Sequence, residues 1–327
     1  MSRRDRKGLR DRKGLVELDA RLRARFGGEV ETDAPLGART TYRVGGSAAR
    51  LVRVDDHDEL AALASATAGS DVPILIVGKG SNLLVADRGF PGLAVLLGDG
   101  FAEIDVDVAH GEGVGVVDAG GAASLPVVAR RTAAAGLTGF EWAVGVPGSI
   151  GGAVRMNAGG HGSDMAASLE GVRVIDLATG EDGFVSAGSL ALRYRSSSVT
   201  ASQVVSLARL RLVVGDRAAS EAEISEIVRW RRANQPGGQN AGSVFANPPG
   251  DSAGRLIDAA GCKGLRIGSA EVSPKHANFI QADAGGSADD VFALLVEVRR
   301  RVHESSGIVL HPENRLIELG PLPDLEA

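Results

Sequence analysis

Between Glu141 and Gly162 the chain reads EWAVGVPGSIGGAVRMNAGGHG, an apolar run with glycines at short intervals. Its core is Gly145, Val146, Pro147, Gly148, Ser149, Gly151 and Gly152, followed by the polar Asn157 with Ala158 and Gly159. Glycine permits positive φ and removes the side chain, so such a backbone can turn its amides on an anion or lie flush against a flat ring. For any single glycine a tight packing loop explains the residue as well. The cluster around Pro147, with a polar residue and further glycines behind it, favours a ligand. A second segment has related chemistry. The apolar run ILIV after Pro73 ends in Gly78, Lys79, Gly80, Ser81, Asn82 and Leu83. A buried strand entering a glycine-rich turn cradles phosphate, the glycines freeing amides while Ser81 and Asn82 add donors. Neither a Walker loop nor a G-x-G-x-x-G opening a helix is present. Lys79 has two readings, a phosphate partner or a solvated lysine.

Composition bounds the possibilities. With 327 residues, 44% of them apolar, and a net charge of -5, the chain can bury two or three sizeable cores and is no basic nucleic-acid binder. The single cysteine, Cys262, excludes an internal disulfide and a cysteine-based metal framework, and fits a reducing cytoplasm. The histidines at 57, 110, 161, 276, 303 and 311 have no ligand spacing, so no metal site is expected. No apolar run reaches membrane-span length, and the basic start lacks the apolar core of a secretory signal. Cytoplasmic solubility is the expectation.

The elements that must position the two glycine-rich segments follow in order. RDRKGL at Arg4–Leu9 repeats at once as Arg10–Leu15, a charged tandem copy too short to build a core and read as a frayed extension. Leu15, Leu18, Leu22 and Phe26 lie on one face of a helix. ARTTYRVGGSAARLVRV, from Ala38 to Val54, predicts two short strands around Gly45 and Gly46, with Asp55 capping the next helix. Phe90 to Ala119 is strand-rich, and Ser124 with Pro126 starts a helix that Gly136 closes. Strands are expected over 172–176 and 204–214. Ser220 and Glu223 form a capping box, with a domain boundary placed just before it. From there strands alternate with a helix at Ser252 and an amphipathic helix over Ser287–His303, which argues for a separate α+β unit. IVLHPENRLIEL closes as a strand broken by a proline.

These pieces coincide with one family. TTYRVGG, GKGSNLLVAD, AVGVPGSIGGAVRMNAGGHG, the YRSS of Tyr194 to Ser197, AGSVFANP, AGCKGLRIGSAEVSPKHANFI and HPENR occur in the order found in UDP-N-acetylenolpyruvoylglucosamine reductases, which the chain resembles from about Thr40 to Glu318. The resemblance implies an α+β fold: a two-part FAD-binding module of the vanillyl-alcohol-oxidase (PCMH) type and a smaller α+β substrate domain. It divides the chain into a repeated leader at 1–16 read as disordered, a first flavin subdomain at 17–98 joined by a strand near 306–320, a second at 99–217, and a substrate domain at 218–305. The uninterrupted run from Val244 to Ala260 resembles the shorter of the family's two substrate-domain types. NADPH would reduce non-covalently bound FAD and leave, and the UDP-sugar enolpyruvyl ether would then take the hydride, with no metal and no obligate protein partner.

Hydride can add to the enolpyruvyl methylene only if the neighbouring carboxylate absorbs charge as an enediolate, which calls for a cation and a hydrogen-bonding acid. Arg195 and Glu313 match those family positions, and Ser243 matches the proton donor. The FAD contacts fall on the two glycine-rich segments. Tyr194, Asn247, Lys263, Lys275, Asn278 and Gln281 are the candidates for the UDP-sugar. Where the family pattern usually has an asparagine after Gln281, this chain has Ala282, which puts one minor contact in doubt. No residue is clearly placed for a covalent flavin bond. Acid or heat denaturation of the purified protein is expected to release the flavin into the supernatant; yellow colour retained by the precipitate would show a covalent bond.

Overall fold

A computed structural model describes residues 3–108 and 113–325, with side chains from Lys13 onward; His110 and the first two residues of the leader lie outside that range. Helix α1 (Arg3–Phe26) buries Leu18, Leu22 and Phe26. It starts well before Leu15, where its apolar face begins, because the repeat is rich in Arg, Lys and Leu and no proline stops it. Of the two strands expected around Gly45 and Gly46, the second is present as β2 (Ala48–Val54), whereas the first is replaced by a turn-rich segment between β1 (Glu31–Ala34) and β2. There the Thr40 amide bonds back to Gly37 O at 3.0 Å, and a Cβ on Gly37 would stand 2.2 Å from Gly45 O, too close for extended chain carrying side chains. Helix α2 (His57–Thr67) is capped by Asp56 rather than Asp55, its carboxylate accepting from the Glu59 amide at 2.8 Å.

Then come β3 (Ile74–Val77), β4 (Leu83–Val85), β5 (Phe90–Leu97), β6 (Ile104–Asp107) and β7 (Val114–Gly120). They are followed by α3 (Leu125–Ala134), β8 (Leu137–Thr138), α4 (Ile150–Met156), β9 (Gly159–Gly160) and β10 (Ser163–Asp164). β11 (Leu169–Asp176), β12 (Asp182–Ser186), β13 (Gln203–Val214) and α5 (Arg217–Asn234) follow. The chain ends with α6 (Ala253–Ala259), β14 (Arg266–Ile267), β15 (Ala270–Val272), β16 (Ile280–Ala282), α7 (Ala288–Ser306) and β17 (Arg315–Ile317).

Two compact units result, Met1–Thr32 with Arg50–Lys79 and Pro91–Arg229, and Asp33–Ala49 with Gly80–Phe90 and Trp230–Ala327. The chain passes between them inside β1, inside β2, between Lys79 and Gly80 in the turn after β3, inside β5 and inside α5, so compactness divides it later than the expected boundary before Ser220. The first unit has two cores. One lies where Leu18, Leu22, Leu60 and Leu63 of α1 and α2 meet Val52, Val54, Leu93 and Val95 of the sheet β1-β2-β5-β3. The other packs Leu125, Val128, Ile150 and Val154 of α3 and α4 on an antiparallel sheet of order β12-β11-β13-β7-β6. In the second unit Val291, Leu294, Leu295, Val298 and Val302, the face read from the sequence, pack α7 against Val272 and Ile280 of the antiparallel sheet β14-β15-β16. There β17 pairs in parallel with β4, Arg315 opposite Leu83 through Ile317 opposite Val85.

Helix α5 begins three residues before the expected capping box. Asp216 caps it, accepting from the Ala219 amide at 3.0 Å, and Ser220 lies buried within the first turn. The Ser220 hydroxyl donates to the carboxylate of Glu141, 4% exposed, at 2.6 Å, and the Gly139 amide donates to the same group at 2.8 Å. Burial pushes the Glu141 pKa up, but these hydrogen bonds outweigh it and hold the group below its ordinary value. A depressed folded-state pKa stabilises the fold fully above the ordinary glutamate range, and that stabilisation is lost as pH falls through the folded value. Ser220→Ala is therefore expected to cost about 1–3 kcal/mol near neutral pH and to shift acid unfolding to higher pH, read by denaturant melts across pH. An unchanged acid limb would show that Glu141 does not depend on Ser220.

Candidate functional site

In the first unit, β3 delivers the chain to Gly78 and Lys79, and α4 rises from its N-cap Ser149 beside them. Together with Ile76, Gly121, Gly151 and Gly152, these residues line a cleft of about 580 Å³, open solvent included. A Cβ on Gly78 would stand 2.4 Å from Ser149 Oγ, so the two glycine-rich segments touch at positions where any larger residue would intrude. A Cβ on Gly151 would meet Val205 O at 3.1 Å and Gly121 O at 3.2 Å. Glycine lets the helix lie on the sheet.

The segments divide the work differently from the expectation. None of Gly145, Gly148, Gly151 and Gly152 has positive φ; in this stretch the left-handed positions are Asn157, His161 and Gly162. The glycines serve by being small, and Gly151 and Gly152 lie inside α4. Most amides here are spent on the fold: Gly148 on Val146 O, Ile150 on Ala123 O and Gly151 on Gly121 O, each at 2.9 Å. Among the described residues the amides of Lys79 to Asn82 have no such partner, and Gly80 has φ 65°. Within the first unit the Lys79 amide can thus serve an anion, while the α4 segment supplies a surface stripped of side chains. A cleft with exposed Gly78 and Lys79 and a cradle that a methyl group would fill fits the diphosphate of FAD.

Asn157, expected as a cofactor contact, is 3% exposed and its side chain is committed to protein. It donates to Asp164 Oδ2 at 3.0 Å and Arg193 O at 3.1 Å, and accepts from the Ala166 amide at 2.9 Å. Ala158 and Gly159 continue from it into the short β9–β10 hairpin. Arg193 and Ser196 exchange two main-chain hydrogen bonds of 3.0 Å, and Ser197 Oγ donates to Arg155 O on α4 at 2.8 Å. On this pinned turn Arg195 has φ 57°, a costly conformation for a residue with a Cβ, and its guanidinium stands 5.1 Å from the Tyr194 ring centre. Tyr194 itself is 60% exposed.

Ser243 and Glu313 come together within the second unit. The Glu313 amide donates to Val244 O and the Ala246 amide to His311 O, both at 2.9 Å, so the two segments run side by side as a short antiparallel pair. Asn278, 3% exposed, clamps the next residue: it accepts from the Phe245 amide at 3.0 Å and donates to Phe245 O at 2.8 Å. Its side chain holds the Ser243 segment. Asn247 Oδ1 accepts from the Ala253 amide at 3.0 Å at the start of α6. Lys263 pairs with Asp258 at 2.7 Å, Lys275 donates to Arg232 O at 2.6 Å and Gln281 to Gly237 O at 2.9 Å. Both lysines are exposed, and surface contacts of this kind are weak enough to be exchanged for a phosphate. The sequence reading missed Asn314, whose amide joins Asn82, Ala241 and Ser243; the only sequence signal was its place directly after Glu313.

Residues 48–181 match the family model of an FAD binding domain, and residues 234–317 that of the UDP-N-acetylenolpyruvoylglucosamine reductase C-terminal domain. The UDP-N-acetylenolpyruvoylglucosamine reductases of an Anaeromyxobacter species and of Acidiphilium cryptum are both 43% identical to this chain, the first covering 96% of each chain, the second 89% of this chain and 92% of the relative. The crystal structure of the same reductase from Thermus caldophilus superimposes with a TM-score of 0.75 at 35% identity, over 88% of this chain and 98% of that one. The fold is α+β, an FAD-binding module with a smaller α+β C-terminal domain. Identity at this level over nearly the whole length, together with a glycine-lined cleft and paired Ser243 and Glu313 segments, places the chain in the UDP-N-acetylenolpyruvoylglucosamine reductase family.

Proposed function

We infer that the chain is an FAD-dependent oxidoreductase that uses NADPH to reduce UDP-N-acetylglucosamine enolpyruvyl ether to UDP-N-acetylmuramate, a precursor of peptidoglycan. The observation that carries the reading is the pairing of the Ser243 and Glu313 segments through Glu313 N–H to Val244 O. The 78–83 turn, with the surface from Gly145 to Gly152, would hold the cofactor, whose chemistry is to accept a hydride from NADPH and yield it to an electron-poor carbon. Arg195 and Glu313 stabilise the charge that collects on the substrate carboxylate as hydride arrives at the methylene. Ser243 donates a proton to the adjacent carbon; a serine serves as acid here because an enediolate carbon is strongly basic. Lys263, Lys275, Gln281, Asn247 and Tyr194 are assigned to the sugar nucleotide, and Asn278 to holding Phe245. Among the described residues no helix is long and apolar enough to cross a membrane, and the proposed setting is the cytoplasm, with no obligate protein partner.

Two predictions follow from these assignments. Ser243→Ala is expected to leave flavin bleaching by NADPH near the wild-type rate and to slow reoxidation by the enolpyruvyl substrate by about 10²- to 10⁴-fold in stopped flow. Equal slowing of both phases would make Ser243 a residue that shapes the pocket. Gly78→Val is expected to push Ser149 Oγ off the Gly152 amide and to lower the flavin-to-protein absorbance ratio after gel filtration; a wild-type ratio would remove Gly78 from the cofactor cradle.

A further inference from the structure

Asn314 is 4% exposed, and its Nδ2 faces three oxygens: Asn82 Oδ1 at 3.0 Å, Ala241 O at 3.1 Å and Ser243 O at 3.4 Å. Two of the three are main-chain carbonyls of the turn that carries Ser243. Only the NH₂ end of the side chain suits this place, since the carbonyl end has no hydrogen to give. Asn82 completes the circuit, its own Nδ2 donating to Glu313 O at 3.2 Å. Two asparagine side chains therefore link three segments distant in sequence: the glycine-rich turn after β3, the Ser243 turn and the strand end bearing Glu313. Glu313 is tied in a second way through its amide to Val244 O. Neither asparagine is an acid or a base, and the buried Asn314 is remote from solvent. The chemistry of its amide is that of a brace.

We propose that Asn314 is a positioning residue that fixes the Ser243 turn against Glu313 and registers both on Asn82, so that proton donor and carboxylic acid hold a constant separation. The proposal rests on the roles inferred above for Ser243 and Glu313. A displacement of about 1 Å at a reacting group costs on the order of 10²-fold in rate, so loosening the brace should be read in the step that protonates the substrate. It should leave the NADPH step alone, because no proton from Ser243 is used there.

The test uses the FAD-loaded enzyme with two substitutions of similar size. Asn314→Asp puts a carboxylate against the three oxygens; burial and repulsion raise its pKa, and the protonated form regains one donor. Asn314→Leu removes both donors at every pH. The expected result is flavin reduction by NADPH within about twofold of wild type, reoxidation by the enolpyruvyl substrate slowed by about 10²-fold at about pH 8.5, and kcat lowered far more than KM is raised. Recovery as pH falls toward about pH 6 is expected for Asp alone. Faster amide hydrogen exchange of residues 239–246 in both variants without substrate is the accompanying structural readout. If Asn314→Leu does not fold, the Asn314→Asp pH series and its exchange decide. Reoxidation within about twofold of wild type, equal slowing of both phases, or a loss in Asn314→Asp that does not recover at low pH would overturn the proposal. A wild-type flavin that the substrate fails to reoxidise would instead overturn the inferred function, and the role of Asn314 with it.

Discussion

One main-chain hydrogen bond, from the Glu313 amide to the Val244 carbonyl, sets the spacing of the segments that carry Ser243 and Glu313, the two groups proposed to act on the substrate. A bond between backbones cannot change rotamer, and its partners are stiffened on each side, by the Ala246 amide on His311 O and by Asn278 gripping both polar groups of Phe245. Beneath them Val244, Phe245 and Leu310 are buried in the core that α7 covers. The apolar face of α7 thus matters to chemistry at one remove: it supplies the rigid floor on which a serine and a glutamate can keep their distance.

In the first unit the corresponding constraint is close approach. Helix α4 can lie on β13 and on the turn at Gly121 because Gly151 has no side chain, and the turn after β3 can reach Ser149 because Gly78 has none. The amides of the α4 segment are consumed in holding that approach, whereas among the described residues those of Lys79 to Asn82 have no main-chain partner. A buried amide must have a partner, so a segment that builds the wall and a segment that grips the ligand cannot easily be the same one. The expectation that both segments would offer amides assigned one job to two structures.

Elements whose pattern is local were legible from the sequence. The apolar stripe of α7, the helix starts at Ser252 and Ser287, and the strands β3, β11 and β13 lie within two or three residues of where the sequence pattern put them. The failures came where a distant partner decided. TTYRVGG reads as strand by its β-branched and aromatic residues, yet it folds as turns because Gly37 and Gly45 press backbone on backbone. Ser220 has the spacing of a cap and serves Glu141 instead. Ser243, Glu313 and Arg195 were proposed through motif resemblance alone, since a serine, a glutamate and an arginine have no spacing of their own that marks chemistry. Asn157, Asn278 and Asn314 look alike in sequence, as polar residues near motifs. Only burial and partners distinguish a brace from a ligand contact.

Arg195 stands at φ 57° on a turn that Asn157 and Arg155 hold from beneath. Glycine would occupy that backbone with less strain, so the arginine is kept at a conformational cost. Backbone strain alone would favour its loss. If Arg195 has the role proposed for it, this position should be among the first to relax under drift once the activity is no longer needed, and a relative with glycine there would carry the mark of a scaffold retained after its chemistry was abandoned.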